Sequence, residues 1–149
     1  RDLLPLLESK NLFEQIISKY PKTDFALDAK FKIGLINETV ASKEIYIGRH
    51  YVKKEKWIAA INRFRNVIDL YDTTIYVEEA LHRLVETYYV LGLVDESQKY
   101  ANLLGYNYQS SKWYQQSYSI FNNNYQKIEI KKNENSILKK LKTLLNVDE

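Results

Sequence analysis

The sequence predicts an all-α protein in which successive helical hairpins stack into a solenoid. Apolar residues recur three and four positions apart along almost the whole chain, as one face of a helix requires. The 149 residues include only two prolines and four glycines, too few for a turn-rich β-sandwich. Small residues also recur where paired helices would touch, which is typical of helical repeats. The length suits a short stack of such repeats.

The chain begins with the helix of a partial first unit, residues 1–21. Its apolar residues keep helical spacing up to Pro21, which ends the helix. Thr23 or Asp24 then supplies the side-chain oxygen that caps the next helix. Because position 1 is not methionine and the apolar pattern is already under way there, we interpret the chain as a piece of a longer protein.

A bridging helix is predicted over residues 24–40, although two patterns compete there. Over residues 25–35 apolar side chains fall on alternate positions, which favours a strand. A row at helical spacing through Ala26, Ala29 and Ile33 competes with that alternation. We favour the helix because no cluster of glycine, proline or asparagine bounds a short strand in this region.

A tetratricopeptide-like unit is predicted over residues 41–74. Gly48 and Ala60 occupy the positions where such a unit has small residues, and they let the two helix axes approach closely. Tyr51 and Phe64 occupy the neighbouring positions for large residues, where they fill the space around the contact. The fold class predicted is therefore an all-α, tetratricopeptide-like helical-hairpin solenoid.

A second unit is predicted over residues 77–111. Gly92 is expected to end its first helix and Gly105 its second, because glycine readily takes the left-handed conformation that closes helices. A closing helix is predicted over residues 112–121. The residues at the packing positions of this unit are Leu84, Tyr88, Ser97 and Ala101.

The composition changes in residues 122–149, which we predict to be a polar linker followed by an amphipathic C-terminal helix. A helix of this length is marginal alone in water, so its apolar face is expected to dock. We favour docking that caps the end of the stack over binding to a partner. The apolar residues, on one face roughly 120° wide with lysines opposite, are Ile137, Leu138, Leu141, Leu144 and Leu145.

The residues that could carry catalysis or bind a metal are sparse. The chain has no cysteine, which excludes a disulfide framework, a thiolate zinc site and a cysteine nucleophile. His50 and His82 are each alone on their helices, without the paired spacing of a zinc-binding helix. The four glycines form no phosphate-binding loop. We therefore expect a non-enzyme with no metal and no cofactor.

The charge and aromatic patterns do not favour nucleic-acid binding. The net charge is only +3, and its sign alternates along the chain instead of forming a basic stripe. Most of the thirteen tyrosines lie at helix-packing spacing, where they are core residues. Tyr46, Arg49, His50 and Lys53 come closest to a basic, aromatic surface. The chain also contains no apolar run long enough to span a membrane.

Seven longer strings of residues, spread over roughly residues 1–121, carry a more specific signal than the repeat spacing. They are Tyr20–Lys30, Tyr46–Tyr51, Trp57–Phe64, Glu78–Leu81, Leu91–Glu96, Leu104–Tyr108 and Ser111–Tyr114, with Tyr118. In order, spacing and the rare Trp57 and Trp113, they resemble the BamD family, the tetratricopeptide lipoproteins of the bacterial outer-membrane β-barrel assembly machinery. The family usually has proline where this chain has Asp72, Ile75 and Gln109, so less rigid turns are expected here.

The resemblance implies a function as well as a fold. It implies a non-catalytic scaffold on the periplasmic side of the outer membrane, held there by a lipid anchor that would lie upstream of Arg1. It further implies that the chain corresponds to the C-terminal part of the family, which binds the last POTRA domain of BamA and other lipoproteins of the complex. It assigns Asn62 and Arg63 to an Asn-Arg pair that the family retains, on a helix flank near the turn from Asp69 to Thr74. The residues predicted to bind a partner are Asn62, Arg63, Asp69, Tyr71, Asp72, Thr73 and Thr74.

Two questions stay open at the level of sequence. Arg63 can bind a carboxylate of a partner through its planar guanidinium, or it can form an ion pair within the chain, to Glu44 or Glu86. The function can also differ in class. A generic tetratricopeptide adaptor that binds a peptide outside barrel assembly is the first alternative, and a basic helical RNA-binding module is the second.

Overall fold

The computed structural model describes residues 3–122, which form six α-helices and no strands. Each helix packs against the next along the chain, and α6 also packs against α4. This arrangement confirms the predicted all-α, tetratricopeptide-like fold. The helices are α1 Leu4–Lys19, α2 Asp24–Lys53, α3 Trp57–Leu70, α4 Val77–Val90, α5 Val94–Asn107 and α6 Lys112–Phe121.

The turn between α1 and α2 follows the predicted capping chemistry. The Thr23 hydroxyl accepts a hydrogen bond from the Ala26 N–H at 3.3 Å and donates one to the Tyr20 carbonyl at 2.7 Å. The side chain thus satisfies a backbone donor that the first turn of α2 leaves unpaired. Residues 25–35 lie within α2, so the helical interpretation of this segment is confirmed and the strand alternative is wrong.

The prediction of separate helices over 24–40 and from 41 onward is wrong, because α2 is one helix of 30 residues. Val40 and Ala41, at the predicted junction, are both buried inside this helix. Neither is a helix breaker, and extending an existing helix is easier than starting a new one. A single helix therefore serves two packing partners, α1 and α3.

The two glycines predicted to end helices behave differently. Gly92 follows α4 with a φ of +75°, the left-handed conformation expected at a helix end. Gly105, in contrast, lies inside α5, which continues to Asn107, so the prediction is wrong for this residue. The reason is packing, because a Cβ atom at Gly105 would lie 3.2 Å from Cζ of Tyr114. Gly105 lets α6 approach α5 closely.

The main core lies between α2, α3, α4 and α5, around Phe64. This side chain is fully buried, and a Cβ atom at Gly48 would lie 2.8 Å from its Cζ atom. The missing side chain of Gly48 therefore makes room for the ring of Phe64. The residues of the core are Ala41, Ile45, Ala60, Ile61, Phe64, Val67, Val77, Ala80, Leu81, Leu84 and Leu104.

The second hairpin, α4 with α5, has its own internal contacts. The buried Ser97 hydroxyl donates a hydrogen bond to the Val85 carbonyl at 2.7 Å. Tyr88 stacks on Tyr100 with ring centroids 5.5 Å apart. Of the residues predicted to pack the repeats, six are buried and two, Tyr51 and Tyr88, are partly buried against the core. The buried six are Gly48, Ala60, Phe64, Leu84, Ser97 and Ala101.

The predicted linker and amphipathic helix of residues 122–149 lie outside the described residues, apart from Asn122 itself. Within residues 3–122, no helix is both long enough and apolar enough to cross a membrane.

Candidate interaction surface

The turn between α3 and α4 is held by hydrogen bonds on both of its sides. The Thr74 hydroxyl donates to the Tyr71 carbonyl at 2.8 Å, and the Thr74 N–H donates to the same carbonyl at 3.1 Å. On the other side, the Ile75 N–H donates to Oε1 of Glu38 on α2 at 3.2 Å. These bonds fix the turn relative to both α3 and α2.

A buried carboxylate organises the side chains beside this turn. Glu44 is only 7% exposed, and its Oε1 lies 3.0 Å from Nη1 of Arg63. Its Oε2 accepts a hydrogen bond from Nδ2 of Asn66, also at 3.0 Å. Burying a carboxylate is costly unless it is paired and hydrogen-bonded, and here both conditions are met. The Arg63 side chain remains 37% exposed, so its guanidinium is fixed yet still accessible.

Tyr71 directly follows the last residue of α3 and packs, partly buried, against the core. Burial and the negative charge of Glu44 both raise the pKa of the Tyr71 hydroxyl above 10. The phenol therefore stays neutral and keeps its proton available for donation at ordinary pH. Tyr71 thus offers a neutral hydrogen-bond donor and Arg63 a cationic one, and the charge of Glu44 acts on both.

A network of charged side chains joins α2 to α4, outside the predicted site. Arg49 Nε donates to Oε1 of Glu79 at 2.7 Å, and Glu79 also pairs with Arg83 at 3.4 Å. Arg83 in turn donates from Nη1 to Oε2 of Glu86 at 2.7 Å. Glu79 is only 5% exposed, so the guanidinium groups on either side offset the cost of burying its charge.

His82 extends this network to α6. The ring is 3% exposed, with Nδ1 lying 2.8 Å from the Ser117 hydroxyl and Nε2 lying 3.3 Å from Glu86 Oε1. Trp113 covers the ring at 5.2 Å between centroids. Burial acts to raise the pKa of Glu86, but bonding to His82 and the nearby Arg83 outweigh it and hold that pKa below its usual value.

The contacts of His82 were not predicted from the sequence, in which His82 stands alone on its helix without a second histidine. Glu86 lies four residues later and therefore on the same helix face, a spacing that indicates a possible His–Glu pair. The contact with Ser117 joins residues 35 positions apart, and no local pattern indicates it.

The predicted partner-binding residues fall into three groups. Asn62, Asp69, Asp72 and Thr73 are exposed, and Asp69 lies 3.9 Å from Arg65. Arg63 and Tyr71 are half-buried, and both interact with Glu44.

Thr74 makes up the third group, because it is only 7% exposed. Its hydroxyl stabilises the turn, so its side chain is not on the surface. Arg63 pairs within the chain with Glu44, whereas Glu86 pairs with Arg83 and His82.

An exposed apolar row on α2 was also missed. Leu27, Phe31 and Leu35 are 70%, 68% and 54% exposed, and they lie four residues apart on one helix face. The odd-numbered positions of this exposed row, together with the buried Ala29 and the half-buried Ile33, produce the alternation that resembled a strand. An apolar residue every second position therefore arises here from a helix with two apolar faces.

Within residues 3–122, no group of three or more histidine, aspartate or glutamate side chains gathers as a metal site would. Arg49 belongs to the basic, aromatic surface that was weighed as a nucleic-acid binding site. Its guanidinium is paired with Glu79. The expectation of a non-enzyme stays a prediction.

Comparison with known proteins gives consistent matches. The family model of the YfiO outer membrane lipoproteins matches residues 1–104. The outer membrane protein assembly factor BamD of Rickettsia prowazekii is 53% identical over 115 residues, which cover 77% of this chain and 46% of the relative. BamD of Caulobacter vibrioides is 39% identical over 124 residues, covering 83% of this chain and 41% of the relative.

A more distant relative, BamD of Neisseria meningitidis serogroup A, is 32% identical over 85 residues, covering 57% of this chain. The chain spans less than half the length of the first two relatives. The family match nevertheless extends over well more than half of the chain and agrees with the all-α fold. The resemblance found in the sequence is therefore confirmed: this chain belongs to the YfiO family of outer membrane lipoproteins, the family of BamD.

Proposed function

We propose that this chain is part of a non-catalytic scaffold of the outer-membrane β-barrel assembly machinery. Its relatives are named as outer membrane protein assembly factors, which supports this function. In this proposal the full-length protein is lipid-anchored on the periplasmic side of the outer membrane. The partner is the last POTRA domain of BamA, and other lipoproteins of the complex bind elsewhere on the stack.

The observation that carries the proposal is the fixed guanidinium of Arg63 beside a fixed turn. A planar guanidinium binds carboxylates with defined geometry, and Glu44 holds this one in place before any partner arrives. The hydrogen bonds of Thr74 and Ile75 likewise fix the turn in advance. A preformed surface loses less conformational entropy on binding, which favours affinity.

The proposed surface, which we name the turn surface, combines charge with an apolar contact. It consists of Arg63, Tyr71, Asp72, Thr73 and Ile75. Ile75 is 77% exposed and is the large apolar side chain of this surface. An exposed apolar residue surrounded by polar groups is a common composition for a protein–protein contact. The scaffold acts by positioning, because it holds the bound domain in one orientation against a rigid helical stack.

The test measures binding of the BamA POTRA domain to the full chain by calorimetry. Asp72→Arg reverses a charge on the exposed turn without touching the core, and we expect it to weaken binding about 10-fold or more, on the order of 1.4 kcal/mol. Asp95→Arg is the matched control, an exposed aspartate on another helix, and should change affinity less than about 2-fold.

Arg63→Glu is a second variant, with helix content checked by circular dichroism because Glu44 loses its partner. Affinities equal to the wild type for both Asp72→Arg and Arg63→Glu would remove the turn surface from the interface.

A tetratricopeptide adaptor outside barrel assembly is the alternative function, and the exposed row of Leu27, Phe31 and Leu35 favours it. An amphipathic peptide could bind such a row through its own apolar residues. Phe31→Asp separates the two functions. It should leave POTRA binding unchanged if the turn surface is the interface, and a loss of binding to other protein partners would favour the adaptor.

A further inference from the structure

A groove between α5 and α6 lies at the opposite end of the described helices from α1. Its volume is about 440 Å³, and its floor and walls include Ala101, Tyr106, Tyr114, Tyr118 and Phe121. Tyr106 is 85% exposed and Tyr118 is 40% exposed, so aromatic surface faces solvent here. No charged side chain is among the described residues that line the groove. The remaining lining includes the amides Gln98, Asn102, Gln109 and Asn122. An uncharged groove that combines aromatic rings with amide side chains suits an occupant with an apolar face.

We propose that the groove binds the chain's own C-terminal segment, residues 137–145, through its apolar row. The first reason is connectivity. Asn122, from which the chain continues into this segment, itself lines the groove. The intervening residues 123–136 can span up to about 45 Å when extended, far more than the width of one helix. The segment can therefore fold back onto α5 and α6 without strain.

The second reason is the match of length and chemistry. At helical spacing, residues 137–145 would carry an apolar row about 12 Å long, from a rise of about 1.5 Å per residue. The part of α5 that lines the groove, from Gln98 to Tyr106, also measures about 12 Å by the same rise. The lysines of the segment, Lys139, Lys140 and Lys142, fall opposite the apolar row and would stay in water.

The third reason is the tether itself. A segment joined to its site through a short linker has an effective concentration in the millimolar range. A second copy of the chain at micromolar concentration competes poorly with the tethered segment. A separate partner of similar affinity has the same disadvantage. The covalent connection thus favours the chain's own segment as the occupant. This inference does not depend on the proposed POTRA contact, which lies on the α3–α4 turn.

Because the chain has no cysteine, two introduced cysteines can form only one disulfide within a chain, which makes cross-linking a specific test. Asn102, exposed on the groove rim, is changed to Cys together with Leu141→Cys in the full chain. Thr143→Cys replaces Leu141→Cys in the first control, which puts the thiol on the polar face. Asn62→Cys, an exposed position on α3, replaces Asn102→Cys in the second control. Disulfide formation in a glutathione buffer then measures the effective concentration of each pair.

We expect the Asn102–Leu141 pair to show an effective concentration about 10-fold or more above both controls. Equal values for the three pairs, or disulfides that form only between two chains, would overturn the proposal. Charge variants give an independent reading. Leu141→Glu should speed amide hydrogen exchange in α6 about 10-fold, whereas Thr143→Glu should not.

A basic amphipathic segment can also bind an anionic membrane. Vesicles of phosphatidylglycerol are therefore added to the wild type and to Leu141→Glu. Binding to vesicles that Leu141→Glu abolishes, with no change in α6 exchange, would assign the segment to the membrane and would contradict the groove. No vesicle binding, together with faster exchange in Leu141→Glu, supports the groove.

Discussion

Phe64→Ala tests the packing on which the stack depends. The ring is fully buried between α2, α3 and α4, next to Gly48. A buried phenylalanine removes about 150–250 Å² from water, worth roughly 4–6 kcal/mol at about 25 cal/mol per Å². Truncations of this kind cost about 3–5 kcal/mol because the cavity collapses only in part. We expect a loss of unfolding free energy in that range.

Urea unfolding followed by circular dichroism measures this loss on the full chain. The control is Leu27→Ala, which removes a large side chain that is 70% exposed and should cost less than about 1 kcal/mol. The urea m-value should stay the same for both variants if the fold is kept. A cost below about 1 kcal/mol for Phe64→Ala would show that the ring is not packed as described.

Substitution of Gly48 tests the contact between Phe64 and Gly48 directly. Gly48→Ala should destabilise the wild type by about 1–3 kcal/mol, because the new Cβ atom would overlap the ring. In a Phe64→Leu background the smaller side chain leaves room, so the same change should cost less and gain helix propensity of about 1 kcal/mol. Equal costs in the two backgrounds would contradict a direct contact.

Three further predictions concern hydrogen bonds and charge. Because the pKa of Glu86 is lowered in the folded chain, its stabilisation is present at neutral pH and is lost as pH falls below the usual carboxyl value of 4.5. Urea midpoints of the wild type and Glu86→Gln should therefore converge in acid, and parallel curves would contradict this. Ser97→Ala should cost about 1 kcal/mol in thermal unfolding, since it removes the bond to Val85, whereas Ser110→Ala, an exposed control, should not. Ile75→Pro should destabilise the wild type but not a Glu38→Leu variant, measured by urea unfolding, because proline cannot donate to Glu38.

Local sequence patterns predicted the helices well, and they failed where packing decides. The Thr23 cap and the helix end at Gly92 follow from the chemistry of single residues, and both were predicted. The position of Gly105 within α5 depends on the close approach of α6. The continuity of α2 was missed although no helix breaker stands at Val40 or Ala41. Glycine both ends helices and permits close contacts, so its identity alone does not separate the two functions.

The candidate site likewise combines features that the sequence predicts with contacts that it does not predict. Arg63 and the α3–α4 turn were identified through resemblance to a family, and pairing of Arg63 with Glu44 was one of two possibilities weighed. The network from Arg49 to Ser117 joins three helices, and spacing within one helix reveals only its i,i+3 and i,i+4 members. Contacts between distant segments depend on the register of one helix against another, which a single sequence does not specify.

The turns of this chain show how one source of rigidity can replace another. Proline stiffens a turn by fixing φ, but it removes the backbone donor at the same position. Ile75 stands where the resemblance led us to expect proline, and its N–H instead bonds to Glu38 on α2. At the turn between α5 and α6 the Ser111 hydroxyl accepts from the Trp113 N–H and donates to Glu78 on α4. These bonds attach each turn to a neighbouring helix, so the rigidity that the proposed scaffold needs arises between elements and not within the turn alone.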